Sequence, residues 1–147
     1  MRAAGCYRAD AVFYTGERYA RAAKFHTDTK DRSREIPLSG VDCLLDIVPE
    51  GAKIVCVDLV EGATALPDFK HPEEAVYIFG PEDGTISQRV IDRADAVVYV
   101  PTVGCMNLAA AVNVILYDRL AKSAITEASD DLIRSSRDIN NRVSVRK

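Results

Sequence analysis

Residues 75–118 read AVYIFGPEDGTISQRVIDRADAVVYVPTVGCMNLAAAVNVILYD, and this stretch contains the clearest structural pattern of the chain. Residues 75–79 form an almost unbroken apolar run with β-branched and aromatic side chains, as does 96–100. Such runs are typical of strands that are covered on both faces. Helices are predicted after each strand, at residues 86–93 and 106–121. The stretch therefore predicts two strands of a parallel sheet in an α/β fold.

Both strands stop at a tight loop. Gly80-Pro81 ends the first strand, Gly84 permits a second reversal, and Glu82 is presented between them. The second strand ends at Pro101. Since ligands in open α/β sheets bind just outside the carboxyl ends of the strands, the two loops predict a ligand site.

The helix after the second loop is apolar almost all round. From residue 106 to 117, only Asn107 and Asn113 interrupt a run of apolar or small side chains. A helix with no polar face is typically buried, so we expect this one to be enclosed by the fold.

The two loop motifs resemble those of a known family. FGPEDG and VPTVGCMNLAAAVNVILYD are similar to the second and third motifs of the SpoU (TrmH-like) class of the SPOUT RNA methyltransferase superfamily. The Gly-Pro-Glu and Met-Asn-Leu forms are most similar to those of the small tRNA 2'-O-methyltransferases. The residues that carry the resemblance are Gly80, Pro81, Glu82, Gly84, Val100, Pro101, Gly104, Met106, Asn107 and Leu108.

This resemblance implies a Rossmann-like parallel sheet flanked by helices and tied in a deep trefoil knot. It also implies a homodimer that transfers a methyl group from S-adenosyl-L-methionine to a ribose 2'-OH of RNA, with tRNA as the favoured partner. The residues that would bind the cofactor are Leu59, Gly80, Pro81, Glu82, Gly84, Val100, Pro101, Gly104, Met106 and Asn107.

Three residues are implied as catalytic: Arg2, Glu82 and Asn107. Arg2 matches the arginine of the family's first motif, and because arginine stays protonated, it would hold a phosphate and orient the hydroxyl. Glu82 would fix the loops or pair with Arg2, and Asn107 would hydrogen-bond across the knot or to substrate. The first strand and the Asn-x-Gly of that motif are expected before Met1. A start assigned too far downstream and a shortened protein both remain open as explanations.

Composition indicates one globular domain. The chain has 147 residues, 48% apolar and 28% charged, with a net charge of −3. We assign residues 1–122 to the methyltransferase domain and 123–147 to a basic tail, which is either frayed or a phosphate-binding arm. No apolar run is long enough to span a membrane, so a cytoplasmic protein is expected.

Four scattered cysteines, without a CxxC pair, argue against a metal site or disulfides. Cys43 and Cys56 are predicted to be core residues, and Cys105 a buried filler of the second loop.

The remaining pattern gives shorter elements. The predicted strands are 11–15, 36–38 and 53–59, and the predicted helices are 17–25 and 41–48, the second capped by Ser39. The polar loop 26–34 is either solvated or in contact with RNA.

Two functions stay open. The first is an active tRNA 2'-O-methyltransferase, and the second is a non-catalytic RNA-binding dimer with the same fold. A Rossmann-type nucleotide enzyme is excluded because no strand is followed by GxGxxG.

Overall fold

A computed structural model of the chain describes residues 1–17, 19, 36–81, 83–124 and 128–145. The strands in these ranges are β1 (Val12–Tyr14), β2 (Leu38–Gly40), β3 (Lys53–Val57), β4 (Thr64–Ala65), β5 (Ala75–Phe79) and β6 (Ala96–Tyr99). The α-helices are α1 (Arg2–Cys6), α2 (Gln88–Ile91), α3 (Leu108–Lys122) and α4 (Asp130–Ser136). Short 3-10 helices span Leu44–Ile47 and Leu66–Asp68.

Four strands form a parallel sheet in the order β4-β6-β3-β5. Val57, at the end of β3, pairs with Phe79 of β5 and with Val98 of β6. β1 and β2 form a second, two-stranded parallel sheet. Because β3 lies between β5 and β6 in this register, the carboxyl ends of all three strands meet at one edge.

The core lies between the main sheet and α3. Val55, Val98 and Ile115 are fully buried, and they pack in one cluster with Leu66 and Phe69. Ile115 comes from α3, whereas Val55 and Val98 come from the two central strands. The strand predicted at 75–79 is thus confirmed, and the strand predicted at 53–59 is present but ends at Val57; their apolar runs contribute to this core.

The prediction that α3 is buried on every side is wrong for the single chain. Ala109, Asn113, Tyr117 and Leu120 are exposed, and their three- and four-residue spacing places them on one face. Only one side of a helix can meet the sheet. An apolar pattern without a period does not tell which side that will be.

The chain between β1 and β3 also departs from the sequence-based prediction. The strand expected at 36–38 lies at Leu38–Gly40, and Ser39 belongs to it, paired with Phe13. Ser39 therefore caps no helix. In place of the helix predicted at 41–48, a 3-10 helix begins after Cys43. Most of the predicted helix 17–25, and all of the loop 26–34, lie outside the described residues.

The C-terminal segment contains a helix that the sequence pattern did not predict. Ser129 caps α4 by accepting a hydrogen bond from Leu132 N at 3.1 Å. Asp131 pairs with Arg134 one turn later. The helix predicted at 86–93 is shorter than expected, since α2 spans Gln88–Ile91. None of the helices in the described part of the chain is both long and apolar enough to cross a membrane.

Candidate functional site

A cavity lies at the edge where β3, β5 and β6 end. Its volume is about 120 Å³, and it opens to solvent. Segments after all three strands contribute to its wall, together with the first turn of α3. The lining residues are Val57, Asp58, Leu59, Phe79, Gly80, Pro81, Gly84, Tyr99, Val100, Thr102, Gly104, Cys105, Met106, Leu108 and Ala111.

The cavity brings together most of the residues expected to bind a cofactor. Those that line it are Leu59, Gly80, Pro81, Gly84, Val100, Gly104 and Met106. Pro101 and Asn107 are not among the lining residues, and Glu82 lies outside the described residues. Arg2 is exposed on α1, which packs against α3, and it does not line the cavity either.

The loop after β6 is tight and depends on Gly104. Thr102 N donates to Val100 O at 2.9 Å, and Thr102 Oγ1 donates to Gly104 O at 3.1 Å. Gly104 has a φ of +85°, which side chains with a Cβ rarely adopt. No atom lies within 4 Å of a Cβ built there, so the space on that side is open.

Asp58 joins the ends of three strands. Its backbone N–H donates to Val98 O of β6 at 3.1 Å, which anchors the residue to the sheet. Its Oδ1 accepts from Leu59 N, and its Oδ2 accepts from Ile86 N, both at 2.8 Å. Because Ile86 follows β5, one carboxylate links the segment after β3 to the segment after β5.

Asp58 was not selected from the sequence, although one signal was present. It directly follows the apolar run of β3, where a carboxylate reaches the binding edge of a parallel sheet. Glu61 and Gly62, which follow it closely in sequence, are not among the described residues that line the cavity. Gly62 has a φ of +85° and belongs to the turn that precedes β4.

Asn107 begins α3. Its Oδ1 accepts a hydrogen bond from Ala110 N at 2.8 Å, so the side chain is the N-cap of the helix. The cap satisfies one of the backbone donors that every helix leaves unpaired at its first turn. The amide oxygen is therefore committed to the helix, which makes the amide nitrogen the group that could meet a ligand.

The cysteines differ in environment. Cys105 is exposed in the cavity wall, so the prediction of a buried filler is wrong. A loop that bends sharply at Gly104 turns its side chains outwards. Cys56 is buried as predicted, and burial, followed by the negative charge of Asp58, raises the pKa of its thiol to about 11. Cys43 is half-buried.

A second polar cluster lies at the opposite end of α3. His71 Nε2 donates to Asp118 Oδ2 at 2.8 Å, and His71 Nδ1 lies 2.7 Å from the hydroxyl of Tyr77. Lys122 Nζ also contacts Asp118 Oδ2, at 2.7 Å. Arg119 donates to Tyr77 and to the carbonyls of the segment before β5. These contacts hold the last turns of α3 against that segment.

Burial lowers the pKa of His71, although its hydrogen bond to Asp118 acts in the opposite direction. A neutral ring with its proton on Nε2 donates to Asp118 and accepts from the hydroxyl of Tyr77, which agrees with both contacts. No three His, Cys, Asp or Glu side chains are grouped to hold a metal ion in the described ranges.

One family profile matches the chain. The family is described as "SpoU rRNA Methylase family", and the match covers residues 1–117. No curated protein matches the sequence significantly.

Solved structures share the fold. An "AdoMet bound rRNA methyltransferase from Sinorhizobium meliloti" is similar over 82% of this chain and 49% of its own, with 19% identity and a TM-score of 0.64. The "SpoU Methyltransferase AviRb from Streptomyces viridochromogenes in complex with the cofactor AdoMet" is similar over 80% of this chain and 49% of its own, with 20% identity and a TM-score of 0.62. The "A. aeolicus TrmH/SpoU tRNA modifying enzyme" is similar over 80% of this chain and 64% of its own, with 18% identity and a TM-score of 0.62. The chain thus spans about half the length of the first two.

Proposed function

Because the chain belongs to the SpoU rRNA methylase family, whose profile matches residues 1–117, we propose that it methylates RNA with S-adenosyl-L-methionine as the methyl donor. The acceptor we propose is a ribose 2'-OH, and the substrate class is tRNA, which would place the enzyme in the cytoplasm. The observation that carries the proposal is the cavity at the carboxyl ends of β3, β5 and β6. Two of the neighbouring structures were solved with AdoMet, which supports this choice of cofactor.

The residues present fit such a cofactor. The wall combines apolar side chains, such as Leu59, Val100 and Met106, with the backbone of two glycine loops, at Gly80 and Gly104. Apolar side chains suit the faces of an adenine ring, and accessible backbone groups can hydrogen-bond its edge. When bound, S-adenosyl-L-methionine supplies a methyl group on a sulfonium, which is a good leaving group.

The chain's own residues would position the acceptor. Arg2 would bind a phosphate of the RNA and orient the ribose hydroxyl, since a guanidinium is a poor base but a strong hydrogen-bond donor. Glu82 would fix the loop after β5 or pair with Arg2. Asn107 would use its amide nitrogen toward substrate while its oxygen caps α3.

We further propose that the loops form a trefoil knot and that the protein is a homodimer. The exposed face of α3 supports the dimer, because Tyr117 and Leu120 are 62% and 38% exposed there. Large apolar side chains on a helix that also supplies the core are typical of a surface covered by another protein chain.

Two measurements on the full chain test the function. Calorimetry gives the affinity for S-adenosyl-L-methionine, and methyl transfer is followed on total tRNA and on rRNA, with 2'-O-methylnucleosides identified by mass spectrometry. We expect binding, and 2'-O-methylation of tRNA. Binding without transfer to either RNA would favour the non-catalytic RNA-binding alternative, and the absence of binding would contradict the proposed function.

A matched pair of variants controls for folding. Gly104→Ala and Gly51→Ala both place a Cβ at a φ near +85°, with no atom within 4 Å. They should cost a similar stability of about 1 kcal/mol. Only Gly104 lines the cavity, so only Gly104→Ala should weaken cofactor binding.

A further inference from the structure

We propose that Asp58 is a positioning residue that sets the shape of the cofactor cavity by tying the segment after β3 to the segment after β5. This inference rests on the proposed function, because it concerns the same cavity. It assigns a role to a residue outside the two loop motifs that carry the family resemblance.

The first support is the pair of hydrogen bonds that the carboxylate accepts. Oδ1 accepts from Leu59 N at 2.8 Å, and Oδ2 accepts from Ile86 N at 2.8 Å. Leu59, Gly80 and Gly84 line the cavity, and Ile86 lies between Gly84 and α2. The two N–H groups are held by different oxygens, so an asparagine, which has a donor in place of one of them, cannot make the same pair of hydrogen bonds.

The second support is the close approach of Gly80. A Cβ built on Gly80 would lie 2.8 Å from Asp58 Oδ2 and 3.4 Å from Ile86 Cγ1. The carboxylate thus occupies the space that a side chain at position 80 would need. Asp58 therefore contacts the segment after β5 at two points, Gly80 and Ile86.

The third support is that Asp58 is itself fixed. Its N–H donates to Val98 O, so its backbone continues the pairing of β3 with β6. The hydrogen bonds of its carboxylate therefore transmit the position of the sheet to both loops. Without these hydrogen bonds, the distance between Leu59 and Gly80 would no longer be fixed. The ligand would then have to order the cavity wall on binding, which lowers its affinity.

Asp95, which directly precedes β6, provides a matched control at the other end of β3. Its Oδ2 accepts from Ile54 N at 2.8 Å, and its Oδ1 accepts from Lys53 Nζ at 2.9 Å. Asp95 therefore holds the amino end of β3 as Asp58 holds the carboxyl end. It does not line the cavity.

The experiment compares Asp58→Asn and Asp95→Asn in the full chain. An asparagine keeps one acceptor and turns a donor toward the other N–H, so each variant loses at least one carboxylate hydrogen bond. Affinity for S-adenosylhomocysteine is measured by calorimetry. Amide hydrogen exchange at Leu59, Ile86 and Ile54 reports on the hydrogen bonds without requiring a ligand or activity.

We expect Asp58→Asn to bind about tenfold more weakly or worse, with faster exchange at Ile86 or Leu59. Asp95→Asn, which loses its acceptor for either Ile54 N or Lys53 Nζ, should keep its affinity within about twofold. Equal affinity of Asp58→Asn and wild type, or an equal loss in Asp95→Asn, would overturn the proposal. If the wild-type chain itself does not bind S-adenosylhomocysteine, the proposed function fails and this inference fails with it. If the wild type binds and the affinity of Asp58→Asn is unchanged, only the inference about Asp58 fails.

Discussion

Gly80 and Asp58 share one space: a Cβ on Gly80 would lie 2.8 Å from Asp58 Oδ2. Real Cβ atoms essentially never approach an oxygen so closely, and Asp58 cannot move away without losing its hydrogen bonds to Leu59 N or Ile86 N. Gly80 is therefore required by its neighbour and not by its own backbone.

Gly80→Ala should destabilise the protein by about 1–3 kcal/mol, the usual cost of overpacking, measured by urea unfolding. In an Asp58→Ala background the same substitution should cost less than about 0.5 kcal/mol, because the opposing oxygen is gone. Gly84→Ala is the control: its Cβ would meet the ring of Pro81 at 3.3 Å and not Asp58, so its cost should be the same in both backgrounds. Equal costs of Gly80→Ala in both backgrounds would show that the close approach to Asp58 does not govern the position.

Asn107→Ala should destabilise the protein by about 1 kcal/mol, because α3 loses its side-chain cap. Asn107→Asp keeps the acceptor for Ala110 N and adds a favourable charge at the helix N-terminus, so it should be at least as stable as wild type. Thermal unfolding measures both effects. If the amide nitrogen also serves the substrate, Asn107→Asp will lose methyl transfer while it keeps stability. Full activity in Asn107→Asp would leave the residue with the capping role alone.

The strands were predictable because burial on both faces leaves a direct trace in the sequence. β5 lies where the apolar run of residues 75–79 placed it, and Gly80-Pro81 ends it as expected. The lining role of Gly104 and Met106 followed from the family resemblance. These features are local, so a single stretch of sequence contains them.

The remaining features depend on residues that are distant in sequence. Asp58 meets Gly80 and Ile86 only because the register pairs Val57 with Phe79, and no local pattern records that register. The exposed face of α3 was missed for a related reason. A uniformly apolar helix has no period to show that Tyr117 points away from the sheet.

Cofactor binding should protect Cys105 from alkylation. Cys105 and Cys6 are both exposed, but only Cys105 lines the cavity. With S-adenosylhomocysteine at ten times its Kd, iodoacetamide labelling of Cys105 should slow about tenfold, while labelling of Cys6 is unchanged. Mass spectrometry of the digested protein distinguishes the sites. Equal protection of both cysteines would indicate a general change in folding, and no protection of Cys105 would contradict the position of the cofactor.

The same experiment contains an internal reference in Cys56. Its pKa of about 11 leaves about a thousandth of the thiol as thiolate at pH 8, and the side chain is buried. Cys56 should therefore stay unlabelled until the protein is unfolded in urea. Rapid labelling of Cys56 in native buffer would contradict its place in the core.

The stability of the fold should fall as the pH is lowered through 6.5, because burial lowers the pKa of His71. Between that lowered value and the ordinary 6.5 of the unfolded chain, the unfolded state binds more protons, so acid favours it. The charged groups around the ring are Asp118, Arg119 and Lys122, and the two cations add to the lowering. The slope from this one group is at most about 1.4 kcal/mol per pH unit.

Urea unfolding of wild type and His71→Gln between pH 5 and 8 measures this effect. The variant should be less stable than wild type at pH 8, because Asp118 and Tyr77 lose a partner. The difference between the two proteins should shrink toward pH 5. A difference that is constant with pH would show that His71 does not titrate in this range. Asp118 titrates lower, since its hydrogen bonds to Lys122 and His71 outweigh its burial and lower its pKa below 3.8.

The exposed face of α3 should be the dimer contact. Tyr117→Glu places a charge where Tyr117 is 62% exposed in the single chain, so it should leave the folded chain intact. In a dimer the same charge would be buried without a partner, which is strongly unfavourable. Sedimentation velocity should show a dimer for wild type and a monomer for the variant. Gln88→Glu, which puts the same side chain on exposed α2, should remain dimeric. A monomeric wild type would contradict the dimer. A Tyr117→Glu variant that stays dimeric would place the dimer contact elsewhere.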